Sequence, residues 1–367
     1  MTDRFPAQLL RLRLLDRRDA PPRHAEAREP FARGHVGHAE RFPVLDGWRG
    51  VSILLVLAAH LLPLGPGIFS LNEAAGVAGM AVFFTLSGFL ITSILLMGAT
   101  APDFLTRRCF RVVPLAWLYL IVALVLTGMP LDGWLAHVFF YANVPPQKLV
   151  PLTAHLWSVC IEMQFYVFAA LLVGILGIRA LLALPVLCIA FTLLRVAHDI
   201  YASSYTWFRF DELLAGCMLA LVYHGRLATA LPRVLAAAPQ SLLLLLFAIS
   251  CLPAGWLYSL RPYLAAALVG ATLFNPDSVL SRWLTVRVLA YLAAVSYALY
   301  VIHPLLAHTW LGSGDSLERY LKRPLLFVVL FALAHVSTHC FERRFIAFGR
   351  RMSTAVDSVT RSRERVA

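Results

Sequence analysis

The sequence predicts an all-α, polytopic integral membrane helical bundle, and three observations lead there. Of its 367 residues, 60% are hydrophobic and only 14% charged, with a mean hydropathy of +0.73. Soluble domains lie nearer half apolar and a quarter charged. Apolar runs long enough to cross about 30 Å of hydrocarbon recur along the whole chain. Strict period-two alternation is absent, which favours helices over a barrel, since only these two architectures satisfy backbone polar groups in lipid.

The apolar runs predict about ten transmembrane helices, over 50–68, 75–97, 112–128, 156–177, 180–197, 210–224, 239–256, 258–275, 288–311 and 324–342. They form one transmembrane domain over residues 44–345. Residues 1–43 are rich in Arg, Pro and acidic residues and contain no apolar signal-peptide core. They read as a basic, disordered cytoplasmic tail, with QLLRLRLL (Gln8 to Leu15) as a possible amphipathic surface helix. Residues 346–367 read as a second basic cytoplasmic tail beside anionic lipid. The longest internal connection, about 129–155, reads as an extracytoplasmic loop.

The formal charge of +12 is explained by topology. All but seven of the 32 Lys and Arg fall on one side of the predicted spans; the seven are Lys148, Arg195, Arg209, Arg261, Arg319, Lys322 and Arg323. The positive-inside rule therefore puts both termini in the cytoplasm, and no nucleic-acid footprint remains. The six cysteines are scattered without CxxC or metal-ligand spacing, so neither a disulfide framework nor a bound metal is expected.

Ionisable residues inside spans are costly and mark functional sites by default. LDGWRGVSILLVLAAH (Leu45 to His60) carries Arg49 at the predicted helix mouth and His60 eleven residues deeper, about 16 Å along the axis. HLWSVCIEMQFY (His155 to Tyr166) brings Glu162 in from the opposite side to a similar estimated depth. A histidine and a carboxylate at one level would make a general base and its orienting partner; the bland alternative is interhelical hydrogen bonding. Trp157, Phe165 and Tyr166 read as packing or interfacial aromatics. Arg108 and Arg111 share a helix face in FLTRRCFRVVPLAW (Phe104 to Trp117), either as topology anchors or as a phosphate clamp. FRFDELLAG (Phe208 to Gly216) sets Arg209, Asp211 and Glu212 at an outer helix start, where helix capping competes with sugar binding. His303 precedes Pro304 near the outer face, and Ser87-Gly88 in FFTLSGFLIT reads as a close helix approach.

Together with RRCFRVVP and SYALYVIHPLL (Ser296 to Leu306), these motifs stand in the order found in membrane-bound acyltransferase family 3, which the chain resembles over about residues 43–345. The resemblance implies O-acylation of an extracytoplasmic or lipid-linked glycan in the bacterial inner membrane, such as an exopolysaccharide or lipopolysaccharide. Cytoplasmic acyl-CoA, most simply acetyl-CoA, would be co-substrate, with no bound cofactor. Membrane lipid and polysaccharide biosynthesis or export proteins are the implied partners. It makes His60 and Glu162 catalytic, with Arg49, Arg108 and Arg111 on the acyl donor and His155, Ser158, Arg209, Asp211 and His303 on the acceptor side. The chain departs from the family where Met163 follows Glu162 and Cys160 replaces a common serine. Many relatives add an extracytoplasmic hydrolase-like domain; without one the membrane domain is expected to suffice or to use a partner. Acylation of a small intracellular molecule such as a macrolide is the alternative within the enzyme class. A proton-coupled carrier is the alternative outside it, although the inverted repeats of many carriers are not visible.

Overall fold

The computed structural model describes residues 42–253 and 255–364, with side chains to residue 353. The predicted N-terminal tail and its surface helix lie outside the described residues. Fourteen α-helices follow one another, with no strand among the described residues. They are α1 (Pro43–Leu61), α2 (Leu71–Leu96), α3 (Ala101–Leu126), α4 (Leu131–Val138), α5 (Trp157–Leu176), α6 (Leu184–Ala197) and α7 (Phe210–Tyr223). Then come α8 (Leu231–Ala237), α9 (Gln240–Ser250), α10 (Arg261–Phe274), α11 (Val279–Leu284), α12 (Arg287–Ala307), α13 (Ser316–Val336) and α14 (Arg343–Glu364).

Among the described residues, eight helical stretches are long and apolar enough to cross a membrane, and α8 with α9, bent by 92°, makes a ninth if the pair is one span. The sequence segment 210–224 corresponds to α7, whose 14 residues reach only about 21 Å. Most of α7 is buried, so it is an interior helix held by its neighbours. A belt of exposed apolar side chains, including Ile121 and Val125 on α3, Leu171 and Ile175 on α5, and Val186 and Leu193 on α6, faces outward as lipid contact requires. The chain is a multi-pass membrane protein.

Close approach of α2 and α7 forms the centre. A Cβ on Gly88 would lie 1.9 Å from the Leu213 carbonyl oxygen, and one on Gly216 would lie 2.0 Å from that of Thr85. Only glycine fits either crossing, the use of small residues expected from Ser87-Gly88. On the other side of α2, Ser52 Oγ donates to the Gly79 carbonyl at 2.7 Å and ties α1 in place. Gly47 and Gly50 let α1 lie against the Leu284 and Leu289 backbones.

Several boundaries differ from those read in the sequence: α3 begins at Ala101 rather than 112, α13 at Ser316 rather than 324, and α4 lies within the predicted loop 129–155. The first span begins at Pro43, seven residues before the predicted 50, because proline suits the first helical turn; it ends at Leu61, before the Pro63-Leu-Gly-Pro66 break. The basic C-terminal segment continues as helix α14, reached through a π-helical turn at Ser337–Glu342. It packs along α3, with Phe348 against Phe110 at 5.2 Å and Ser353 hydrogen-bonded to Asp103.

Candidate active site

One face of α1 organises the site. Arg49, Ser52, Ile53, Val56, Ala59 and His60 recur at helical spacing, so they form a single stripe from one end of the bundle towards the other. Arg49 to Val56 line one cavity, of about 750 Å³ with its mouth included. Ala59 and His60 line a second, of about 730 Å³. The change from one cavity to the other occurs at the same level on the surrounding helices. On α2, Ser87 and Phe83 belong to the first cavity and Val77 and Glu73 to the second; on α5, Glu162 and Ser158 belong to the first and Trp157 to the second. Met80 and Tyr300 line both.

The first cavity carries the arginines. Arg49 joins Arg108 and Arg111, which α3 presents three residues apart, and the one carboxylate of the lining is Glu162. Its Oε1 accepts from Ser87 Oγ at 3.0 Å and from the Tyr166 hydroxyl at 2.6 Å. The Arg108 guanidinium stands 5.8 Å above the Tyr166 ring, and the Tyr297 hydroxyl donates to the Val112 carbonyl at 2.6 Å. Three cations against one fixed carboxylate leave a surplus of positive charge, suited to a polyanionic ligand.

The second cavity carries imidazoles. His60 Nδ1 lies 2.9 Å from the Val56 carbonyl, so the proton sits on Nδ1 and the lone pair on Nε2. His303 repeats the arrangement, with Nδ1 2.7 Å from the Tyr300 carbonyl. The His60 and His303 rings are 5.1 Å apart and the His303 and His155 rings 5.5 Å. His155 is buried between Tyr119 and Tyr300, with neither ring nitrogen hydrogen-bonded. Arg209 lies over the Trp157 ring at 5.0 Å, held by Glu212 at 2.8 Å and the Ser203 carbonyl at 3.0 Å. Asn72 Nδ2 secures the end of α1 by donating to the Ala59 and Leu62 carbonyls at 2.8 and 2.6 Å. Among the described residues no group of three or more His, Cys, Asp or Glu is arranged to hold a metal ion.

The structure thus gathers Arg49, Arg108, Arg111 and Glu162 in one cavity, and His60, His155 and Arg209 in the other, with the His303 ring against His60. It does not pair Glu162 with His60. Because α1 starts at Pro43, Arg49 already lies inside the helix and His60 falls in the last turn, beyond the level of Glu162. The group that orients His60 is the Val56 carbonyl. Ser158 lies on the arginine side, bonded to the Tyr300 hydroxyl at 2.7 Å. Asp211 lines neither cavity. It is buried in an ion pair with Arg195 at 2.7 Å, beside Glu212, which bridges Arg209 and Arg261 at 2.8 and 3.0 Å. Sequence reasoning missed Tyr166 and Trp157 as lining residues, and it missed Tyr300, Asn72 and Glu73. Tyr300 was within reach, since it stands one turn from both Ser296 and His303 in SYALYVIHPLL.

This arrangement occurs within a segment that matches a known family: the sequence family described as "Acyltransferase domain", acyltransferase family 3, matches residues 42–338. The chain belongs to this acyltransferase family. YrhL of Bacillus subtilis (strain 168), provisionally named a peptidoglycan O-acetyltransferase, is 30% identical, over 72% of this chain and 48% of that protein. The peptidoglycan O-acetyltransferase OatA of Listeria monocytogenes is 28% identical, over 71% of this chain and 48% of its own length. The O-acetyltransferase OatA of Staphylococcus aureus (strain NCTC 8325 / PS 47) is 24% identical, over 71% and 50%. The chain spans about half the length of the curated relatives it matches. No solved structure matches it.

Proposed function

We propose that this family member moves an acetyl group from cytoplasmic acetyl-CoA to a hydroxyl of an extracytoplasmic or lipid-linked glycan. The observation that carries the reading is the pair of cavities lying end to end through the bundle, arginines in one and imidazoles in the other, meeting at Met80 and Tyr300. The excess of Lys and Arg near the arginine end supports a cytoplasmic orientation for it, in the inner membrane of a bacterium. The relatives named as peptidoglycan O-acetyltransferases support a glycan acceptor and an acetyl donor.

In this reading Arg49, Arg108 and Arg111 hold the donor's phosphates, and its thioester extends along the α1 stripe towards Val56. The acceptor enters from the other end, past Arg209 and His155. His60 Nε2 takes the acceptor's hydroxyl proton as the oxygen attacks the thioester carbonyl carbon. The new C–O bond forms, the C–S bond breaks, and the imidazolium returns its proton to the departing thiolate, releasing free CoA. The adjacent His303 ring, its Nδ1 held by the Tyr300 carbonyl, packs beside His60 and limits its orientation. Glu162 keeps Ser87 and Tyr166 in place and balances one of the three arginines.

Mass spectrometry of envelope glycans tests the proposal. A deletion strain loses ester-linked acetyl groups and regains them when complemented with the wild-type gene. Unchanged acetylation in the deletion strain refutes the assignment.

A further inference from the structure

The two cavities meet at one level, and the two side chains shared by their linings differ in kind. Tyr300 is fixed. Its hydroxyl pairs with Ser158 Oγ at 2.7 Å and donates to the His155 carbonyl. Met80 is buried, and its side chain is an unbranched thioether with three rotatable bonds and no rigid hydrogen bond to hold it. On the arginine side of this level Ile53, Val56 and Phe83 make an apolar wall beside Ser158, and the arginines begin about 10 Å back along α1 at Arg49. On the far side, His60 is one helical turn beyond Val56, about 6 Å.

A donor anchored by its phosphates at the arginines, with its reacting carbon offered to His60, must set its acyl group at this junction. There the space for the acyl chain is what Met80 leaves opposite the fixed Tyr300. We infer that Met80 is the specificity-determining residue for acyl-chain length, its thioether closing the junction to groups much longer than acetyl. The inference rests on the acyl-transfer reading above and deepens it. Truncation to alanine removes three heavy atoms, Cγ, Sδ and Cε, which is room for about three further acyl carbons. Each methylene taken from water into such a pocket gains about 0.8 kcal/mol, so two correspond to roughly a ten-fold or larger preference.

The test uses the full-length protein in proteoliposomes, with acetyl-CoA and butyryl-CoA as donors and muramidase-solubilised peptidoglycan as acceptor. The ratio of kcat/KM for butyryl over acetyl transfer is compared between wild type, Met80→Ala and Met80→Val. The expected result is a rise in this ratio of about ten-fold or more in M80A, with M80V between M80A and wild type. M80V also serves if M80A does not purify as a monodisperse protein. A ratio unchanged in well-folded variants, while the wild type transfers acetyl, overturns the role of Met80 and leaves the acyl-transfer reading standing. A wild type that transfers no acyl group from either donor to this acceptor or to envelope glycan in cells overturns both.

Discussion

Replacing Glu212 with glutamine tests the account of how the α7 segment is held. Glu212 is almost fully buried and bridges Arg209 at 2.8 Å and Arg261 at 3.0 Å, while Arg195 and Asp211 pair beside it. The cluster therefore holds three positive and two negative charges. E212Q keeps the side-chain shape but leaves two guanidinium groups facing one neutral amide in a water-poor site. Breaking a buried pair by removing one partner costs about 3–5 kcal/mol, because the remaining charge is uncompensated. In a cooperative melt this lowers the midpoint on the order of 10 °C. Intrinsic tryptophan fluorescence of the purified protein in detergent follows the transition, with Trp157 reporting directly because Arg209 lies on its ring. The double variant E212Q/R261Q returns the cluster to a net charge of one and is expected to melt above E212Q. A midpoint of E212Q within a degree or two of wild type, or a double variant that loses the sum of both single effects, refutes the reasoning.

Two further outcomes follow. Gly88→Ala places a Cβ 1.9 Å from the Leu213 carbonyl oxygen, so α2 and α7 must separate, at about 1–3 kcal/mol or more, whereas Gly67→Ala meets nothing within 4 Å and melts as wild type does. Equal melting temperatures for the two variants contradict the central crossing. If the donor's phosphates sit at the arginines as proposed, Arg111→Ala removes one charge-assisted contact, about 1.5–3 kcal/mol, and is expected to weaken acetyl-CoA binding roughly 10- to 150-fold by calorimetry. Unchanged affinity in a correctly inserted variant returns Arg111 to the role of a topology anchor.

The helical class and most spans were legible because lipid imposes long apolar segments, a signal that survives in composition and run length alone. Where the reading slipped, the cause was local. The start of α1 was set by hydropathy, although Pro43 and the Pro63–Pro66 break mark both of its ends, and a seven-residue displacement was enough to level His60 with Glu162. Proximity between helices is a tertiary property. Spacing sets Tyr166 one turn from Glu162, but neither spacing nor hydropathy says that Glu162 also turns to Ser87, or that Asp211 turns to Arg195 and away from the cavity. The charge of the C-terminal segment predicts a basic tail, and the contact of Phe348 with Phe110 and the Ser353–Asp103 bond, which charge does not announce, hold its start as a helix along α3. The residues that were legible as a group, Arg49, Arg108 and Arg111, share one cavity.

The central claim is that chemistry occurs at His60 while the donor is held at the opposite, arginine-lined end. Purified His60→Ala, measured side by side for acetyl-CoA binding and for acetyl transfer to glycan, separates these two roles. Removing one polar group from a span does not reduce its hydrophobicity, so insertion is preserved. The account predicts acetyl-CoA affinity within about two-fold of wild type, and transfer reduced by the 10²- to 10⁴-fold typical of losing a general base. Wild-type rates of transfer in H60A would contradict it.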